Sequence, residues 1–105
     1  MMLVTTNSIP GRDVAEVFGI VRGTTVRARH VGRDISAFLT NLVGGEVEEY
    51  TKLLAEAREQ ALDRMRAEAL ALGADAVIGL RFTGTEIASG AAEILVYGTA
   101  VKLAP

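Results

Sequence analysis

The chain of 105 residues has no cysteine, no tryptophan and a single histidine, and its other aromatic residues are two tyrosines and three phenylalanines. Without cysteine, disulfides, thiol nucleophiles, iron–sulfur clusters and thiolate-held metals are excluded. One histidine cannot be tied to Ser8, Ser36 or Ser89, none of which sits in a nucleophile-elbow context. Walker-type and dinucleotide-binding glycine patterns are also missing. Sparse aromatics and a net charge of −2 argue against nucleic acid as a partner. No apolar run approaches the ~20 residues that cross a bilayer. The opening Met-Met-Leu-Val-Thr-Thr-Asn shows no basic segment followed by an apolar stretch. Neither a membrane span nor a secretory signal is expected, and a cytoplasmic location is the default.

Apolar material, by contrast, is plentiful. Half the residues are hydrophobic and the mean hydropathy is +0.30. The length fits one domain, residues 1–105, and a domain this small buries only about two-thirds of its extended-chain surface. The surplus points to contacts between subunits, because contiguous apolar patches on soluble proteins usually mark them. Charge is unevenly placed. Residues 1–33 carry Arg12, Arg22, Arg27, Arg29 and Arg33 against Asp13 and Glu16, a local +3, and the remaining six basic and eleven acidic residues leave −5. That split suits either anion binding or complementary subunit surfaces.

Met2 to Thr6 reads as a short strand closed by the Asn7-Ser8-Ile9-Pro10-Gly11 turn signal. Val14 to Arg29 alternates with a period of two and predicts a long strand, with a bend or bulge at Gly23-Thr24. Asp34 is placed to cap a short helix carrying Ile35, Phe38, Leu39 and Leu42, which Gly44-Gly45 ends. Gly44-Gly45 could also present backbone N–H groups to an anion, though a simple break between helices explains it better. A long helix is predicted from about Glu46 to Leu72, stopped by Gly73 as a C′ residue. Ala76 to Phe82 predicts a strand, Gly84 to Ala92 a turn-rich connection, and Glu93 to Leu103 a strand apolar on both faces and therefore central. The order predicts an α+β fold with a mainly antiparallel sheet packed on one side by the long helix.

On that helix Glu48, Glu49, Lys52, Glu56, Glu59, Asp63 and Arg66 share one side. The opposite, apolar arc spans roughly 180°, wider than one sheet requires. A second neighbour is expected along it, with Tyr50, Leu53, Ala57, Ala61 and Met65 as interface candidates. The acidic row reads as a solvated face with ordinary i, i+4 pairs, Glu48–Lys52 and Arg64–Glu68.

Two groups of residues remain as site candidates. His30 and Asp34 stand at i, i+4, a spacing that suits two metal ligands on a helix, but Gly32 lies between them and no third ligand is indicated. A ring of copies could collect one ligand from each. Arg22, Arg27, Arg29 and Arg33 are the best anion-binding candidates, and pairing with a neighbour's acidic helix explains them equally well. No cofactor and no catalytic residue is indicated, so the expected role is non-enzymatic, with a small-anion binder or an enzyme using an inter-subunit pocket at these arginines as an alternative.

Several stretches taken together resemble the YbjQ-like family, small uncharacterised bacterial and archaeal proteins sometimes labelled as heavy-metal-binding. They are Thr5-Thr6-Asn7-Ser8-Ile9-Pro10-Gly11-Arg12, Val21-Arg22-Gly23, Gly32-Arg33-Asp34-Ile35 and Leu42-Val43-Gly44-Gly45-Glu46. Further along come Glu49-Tyr50-Thr51, Ala55-Glu56-Ala57-Arg58, Leu72-Gly73-Ala74-Asp75-Ala76-Val77 and Tyr97-Gly98-Thr99-Ala100-Val101. The resemblance implies a dodecin-like β-α-β-β subunit in a homopentamer, with extra short strands joining neighbours. It implies no catalytic residues. The metal label fits poorly with a chain that has no cysteine and one histidine.

Overall fold

A computed structural model describes the backbone of residues 1–28, 45–88 and 91–105, and the side chains of 1–26, 51–85 and 91–105. The elements are β1 (Met2–Leu3), β2 (Val14–Ala28), α1 (Gly45–Ala71), β3 (Ala76–Ala88) and β4 (Ala91–Leu103). One mixed sheet runs in the order β1-β3-β4-β2. β4 lies between β3 and β2 and pairs antiparallel with both, while β1 adds to β3 in parallel. The central place of β4 agrees with its two apolar faces. The short helix expected over residues 34–42 lies outside the described residues.

β2 is long because β-branched residues recur along it (Val14, Val17, Ile20, Val21, Thr24, Thr25, Val26) and suit a pleated, half-buried surface. Its irregularities fall between Val14 and Glu16 and between Val17 and Gly19, not at the expected Gly23-Thr24. Gly23 stays in regular register opposite Val96. It is glycine because the helix passes directly over it: a Cβ there would lie 1.9 Å from the Ala61 carbonyl oxygen.

The expected connection over 84–92 is also corrected. β3 continues to Ala88 and β4 begins at Ala91, so the two form one long hairpin. Thr83, Thr85 and Ile87 favour strand strongly enough to carry Gly84 within it.

α1 ends as its sequence predicts. The Gly73 N–H bonds the Leu70 carbonyl at 3.0 Å and the Ala74 N–H bonds that of Ala69 at 3.1 Å. This is a Schellman motif, and it needs the left-handed φ of +83° that Gly73 adopts. The chain then turns into β3 through Asp75, whose carboxylate accepts the Leu103 N–H at 2.9 Å.

The helix lies across β2 and β4, chiefly β2, and has few contacts with β3. Val21, Ala57, Ala61, Met65, Ala69, Val77, Val96 and Ala100 form the core between helix and sheet. A second, smaller cluster occupies the opposite sheet face at one end. There Ile9 and Val4 of the N-terminal segment pack on Ala76, Val101, Leu103 and Ile78. Arg81 fixes this segment by donating to the Thr5 carbonyl at 2.8 Å, and Arg12 reaches the Ala104 carbonyl at 3.1 Å. The rest of that face has no cover among the described residues.

Candidate functional site

Cross-strand register puts residues in rows, and directly opposed residues share a face. On the face away from the helix, Arg22 stands opposite Tyr97, and Tyr97 stands opposite Arg81. The neighbouring rows are Ile20–Thr99 and Thr24–Leu95–Thr83. Ile20 is 70% exposed, Val26 53% and Tyr97 41%. Together they form a surface of branched and aromatic side chains edged by two arginines, of which Arg81 also holds the N-terminal segment.

Of the four arginines proposed for anion binding, Arg22 lies in this surface, exposed and without a hydrogen-bond or ion-pair partner among the described residues. Arg27 occupies β2 opposite Ala92, and its side chain is outside the described set. Arg29, Arg33, His30 and Asp34 all lie outside the described residues. The structure therefore brings Arg22 beside Tyr97 and Arg81, a neighbour that sequence reasoning did not name. Arg81 spends its guanidinium on the Thr5 and Leu80 carbonyls, both at 2.8 Å. Among the described residues no three His, Cys, Asp or Glu side chains gather as a metal site would require.

The interface candidates on the helix divide. Ala57, Ala61 and Met65 are fully buried in the chain's own core and are not available to a neighbour. Their small or slender side chains serve the close passage over Gly23, not a second helix. Leu53 is half-buried, and the side chain of Tyr50 is outside the described set.

The outer helix face is polar, with Glu56, Glu59 and Asp63 exposed and Arg66 bonded to Asp63 at 2.8 Å. A shallow groove there is lined by Ala55, Glu56, Glu59, Gln60 and Asp63. The expected Arg64–Glu68 pair gives way to a different contact, since Arg64 donates to the Thr24 carbonyl of β2. No helix among the described residues is long and apolar enough to cross a membrane.

These features define a class: a small α+β domain in which one long helix crosses a mixed four-stranded sheet. Within that class the chain belongs to the YbjQ-like family, whose model, described as "Putative heavy-metal-binding", matches residues 1–104. Similar chains called "UPF0145 protein" occur in archaea and bacteria. That of Halorubrum lacusprofundi is 60% identical over 103 residues, 98% of this chain and 99% of the relative. That of Archaeoglobus fulgidus is 57% identical, covering 98% and 95%, and that of Thermotoga maritima 55%, covering 98% and 97%. A crystal structure from Pediococcus pentosaceus, described as a DUF74-family protein of unknown function, shares the fold. Its TM-score is 0.59 at 18% identity, with 99% of this chain and 98% of that one covered.

Proposed function

We propose that the chain is the subunit of a ring-forming, non-enzymatic binding or scaffold protein that acts in the cytoplasm. A dodecin-like β-α-β-β subunit in a homopentamer is the assembly that the family resemblance favours. The observation that carries this reading is the shape of the isolated subunit. Its radius of gyration is 17.2 Å and its extents are 55 × 22 × 15 Å. A compact chain of this length has a radius near ~13 Å. An elongated body only two layers thick, with Ile20 and Val26 more than half exposed, leaves apolar surface that a neighbour would cover. Sedimentation and native mass spectrometry at micromolar concentration test the reading: a single closed oligomer is expected, and a monomer overturns it.

Metal binding is the second reading, favoured by the family's description. Its ligands would be His30 and Asp34 with carboxylates from neighbouring copies. Calorimetry with Zn²⁺, Ni²⁺ and Cu²⁺ should then show stoichiometric uptake that His30→Ala weakens. No uptake by either protein removes it.

A further inference from the structure

β3 carries one residue more than β4 between two neighbouring cross-strand pairs. Ile78 pairs with Thr99 and Arg81 with Tyr97, three steps on one strand against two on the other. A bulge of this kind re-aims the side chains that follow it. Regular alternation from Ile78 would put Leu80 on the face away from the helix and turn Arg81 toward the helix. Instead Leu80 is buried in the core between helix and sheet, and Arg81 lies opposite Tyr97. Gly79 makes the step with a left-handed φ of +62°, and its N–H bonds the Thr6 carbonyl at 2.8 Å. The bulge therefore brings a guanidinium to the exposed face beside Tyr97.

Arg81 differs from an ordinary surface arginine in being held. Its bonds to the Thr5 and Leu80 carbonyls both leave from Nη1, so only part of the guanidinium is engaged. The Nε and Nη2 N–H groups lie along the other side, two parallel donors that match two oxygens of a phosphate or carboxylate. No described residue accepts from them. A donor pair already fixed in place loses little freedom when an anion binds. Arg22, across Tyr97, is the opposite case: exposed and unheld by any described residue. Its Cα and that of Arg81 are two strand spacings apart, roughly 9–10 Å. The row below holds Thr24, Leu95 and Thr83, none of them acidic. The first described carboxylate on this face, Glu93, stands ~13 Å along β4 from Tyr97.

We infer that the Arg22–Tyr97–Arg81 row binds an organic phosphate. The phosphate oxygens take the Nε/Nη2 side of Arg81, an apolar body lies on Tyr97 and Leu95, and Arg22 closes over it as the second cation. The inference rests on the binding role proposed above and names its ligand class, and it needs only one copy of the chain. A phosphomonoester carries about −1.5 to −2 charge near pH 7, enough to engage both arginines, whereas a single carboxylate satisfies one. Tyr97, 41% exposed, offers part of its ring to the body of the ligand, and aromatic faces stack well on flat groups. The fixed arginine sets where the anion sits, and the unheld one lets ligands of different size be covered.

Phenyl phosphate, inorganic phosphate and benzoate, titrated into the labelled protein at constant ionic strength, test this through the arginine Nε–H resonances. Phenyl phosphate should shift the Arg81 signal saturably, and the other two should bind at least ~3-fold more weakly. Arg81→Lys keeps the charge and a donor for the Thr5 carbonyl but lacks the fork, so affinity should fall at least ~10-fold. Arg22→Gln should weaken binding at least ~3-fold. Arg58→Gln removes the same charge from the exposed side of α1 and should leave affinity within ~2-fold. A phenyl phosphate titration of the unaltered protein that leaves the Arg81 signal in place overturns the inference, even if Arg81→Lys does not fold. So does equal weakening by Arg22→Gln and Arg58→Gln, which would make net charge the cause. Benzoate binding as tightly as phenyl phosphate overturns the choice of phosphate. An assembled protein that binds no phenyl phosphate loses this site and keeps the ring, whereas a monomer that binds it keeps the site and loses the ring.

Discussion

Replacing Gly23 by alanine is the most severe single-methyl test this fold offers. The added Cβ would lie 1.9 Å from the Ala61 carbonyl oxygen and 2.6 Å from the Met65 nitrogen. Both are backbone atoms in the interior of α1, so no rotamer change can clear them. Ordinary contact needs about 3.4 Å or more, so the helix must lift off β2 by over ~1 Å locally. A gap of that size is too narrow for water, and the side chains lining it lose much of their dispersion contact. Ala57, Ala61, Met65 and Ala69, all fully buried, lie along the stretch that would rise. Overpacking a core costs typically 1–3 kcal/mol. A clash against helix backbone belongs at the upper end, so about 3 kcal/mol is expected.

For a domain near this length, 1 kcal/mol shifts the melting temperature by roughly 4–8 °C, which puts the loss at roughly 12–24 °C. Urea and thermal unfolding should be followed at one fixed protein concentration, because assembly makes both depend on it. Gly84→Ala is the matched control. Its Cβ would come no closer than 3.4 Å to the Ile94 Cδ1 and 3.8 Å to the Glu93 carbonyl, so its stability should stay within about 0.5 kcal/mol. If Gly23→Ala melts within ~2 °C of the unaltered protein, the close passage of α1 over β2 is wrong.

Three further substitutions follow from single interactions. Thr25 is 2% exposed and its hydroxyl has no partner, so Thr25→Val should stabilise by about 1 kcal/mol, read as a higher urea midpoint at unchanged slope. A lower midpoint would mean that the hydroxyl is satisfied after all. Met65→Ala should cost about 2–5 kcal/mol by opening a cavity between helix and sheet, and a loss below ~1 kcal/mol would place Met65 at the surface. Asp75→Ala leaves the Leu103 N–H without its acceptor and should cost about 1–2 kcal/mol, whereas Asp75→Asn, which keeps an oxygen, should lose less. Equal losses for the two would show that the hydrogen bond contributes little.

Period and punctuation made most of the fold legible. Alternation marked β2 and β4, Gly73 marked the helix end, and the double-sided apolarity of β4 marked it as central. What misled was glycine. Gly23 and Gly84 looked alike as interruptions of a strand, yet neither interrupts one. Gly23 is required by a helix whose overlying residues, Ala61 and Met65, stand about forty positions further along the chain, information no local window holds. Gly84 is carried by its β-branched neighbours Thr83 and Thr85 and by pairing with Ile94. The candidate site was less legible still. Arg22 was picked for charge alone, and its neighbours Tyr97 and Arg81 come from strands more than fifty residues away. Register brings them together, and register is set by the hairpin and by the helix, not by composition.

Composition shows a surplus of apolar residues, and the structure shows how the helix's share of it is used. The wide arc of α1 is wide because it is lined with alanine. Ala57, Ala61 and Ala69 contribute little area each, but they let the helix settle onto Gly23 and the sheet. A close-set helix covers a narrow strip, here chiefly β2 and part of β4. The same small residues that make the helix look rich in interface therefore keep it off β3, where Phe82 is 44% exposed. Larger residues at positions 57 and 61 would hold the helix further out and change how far it overhangs β2.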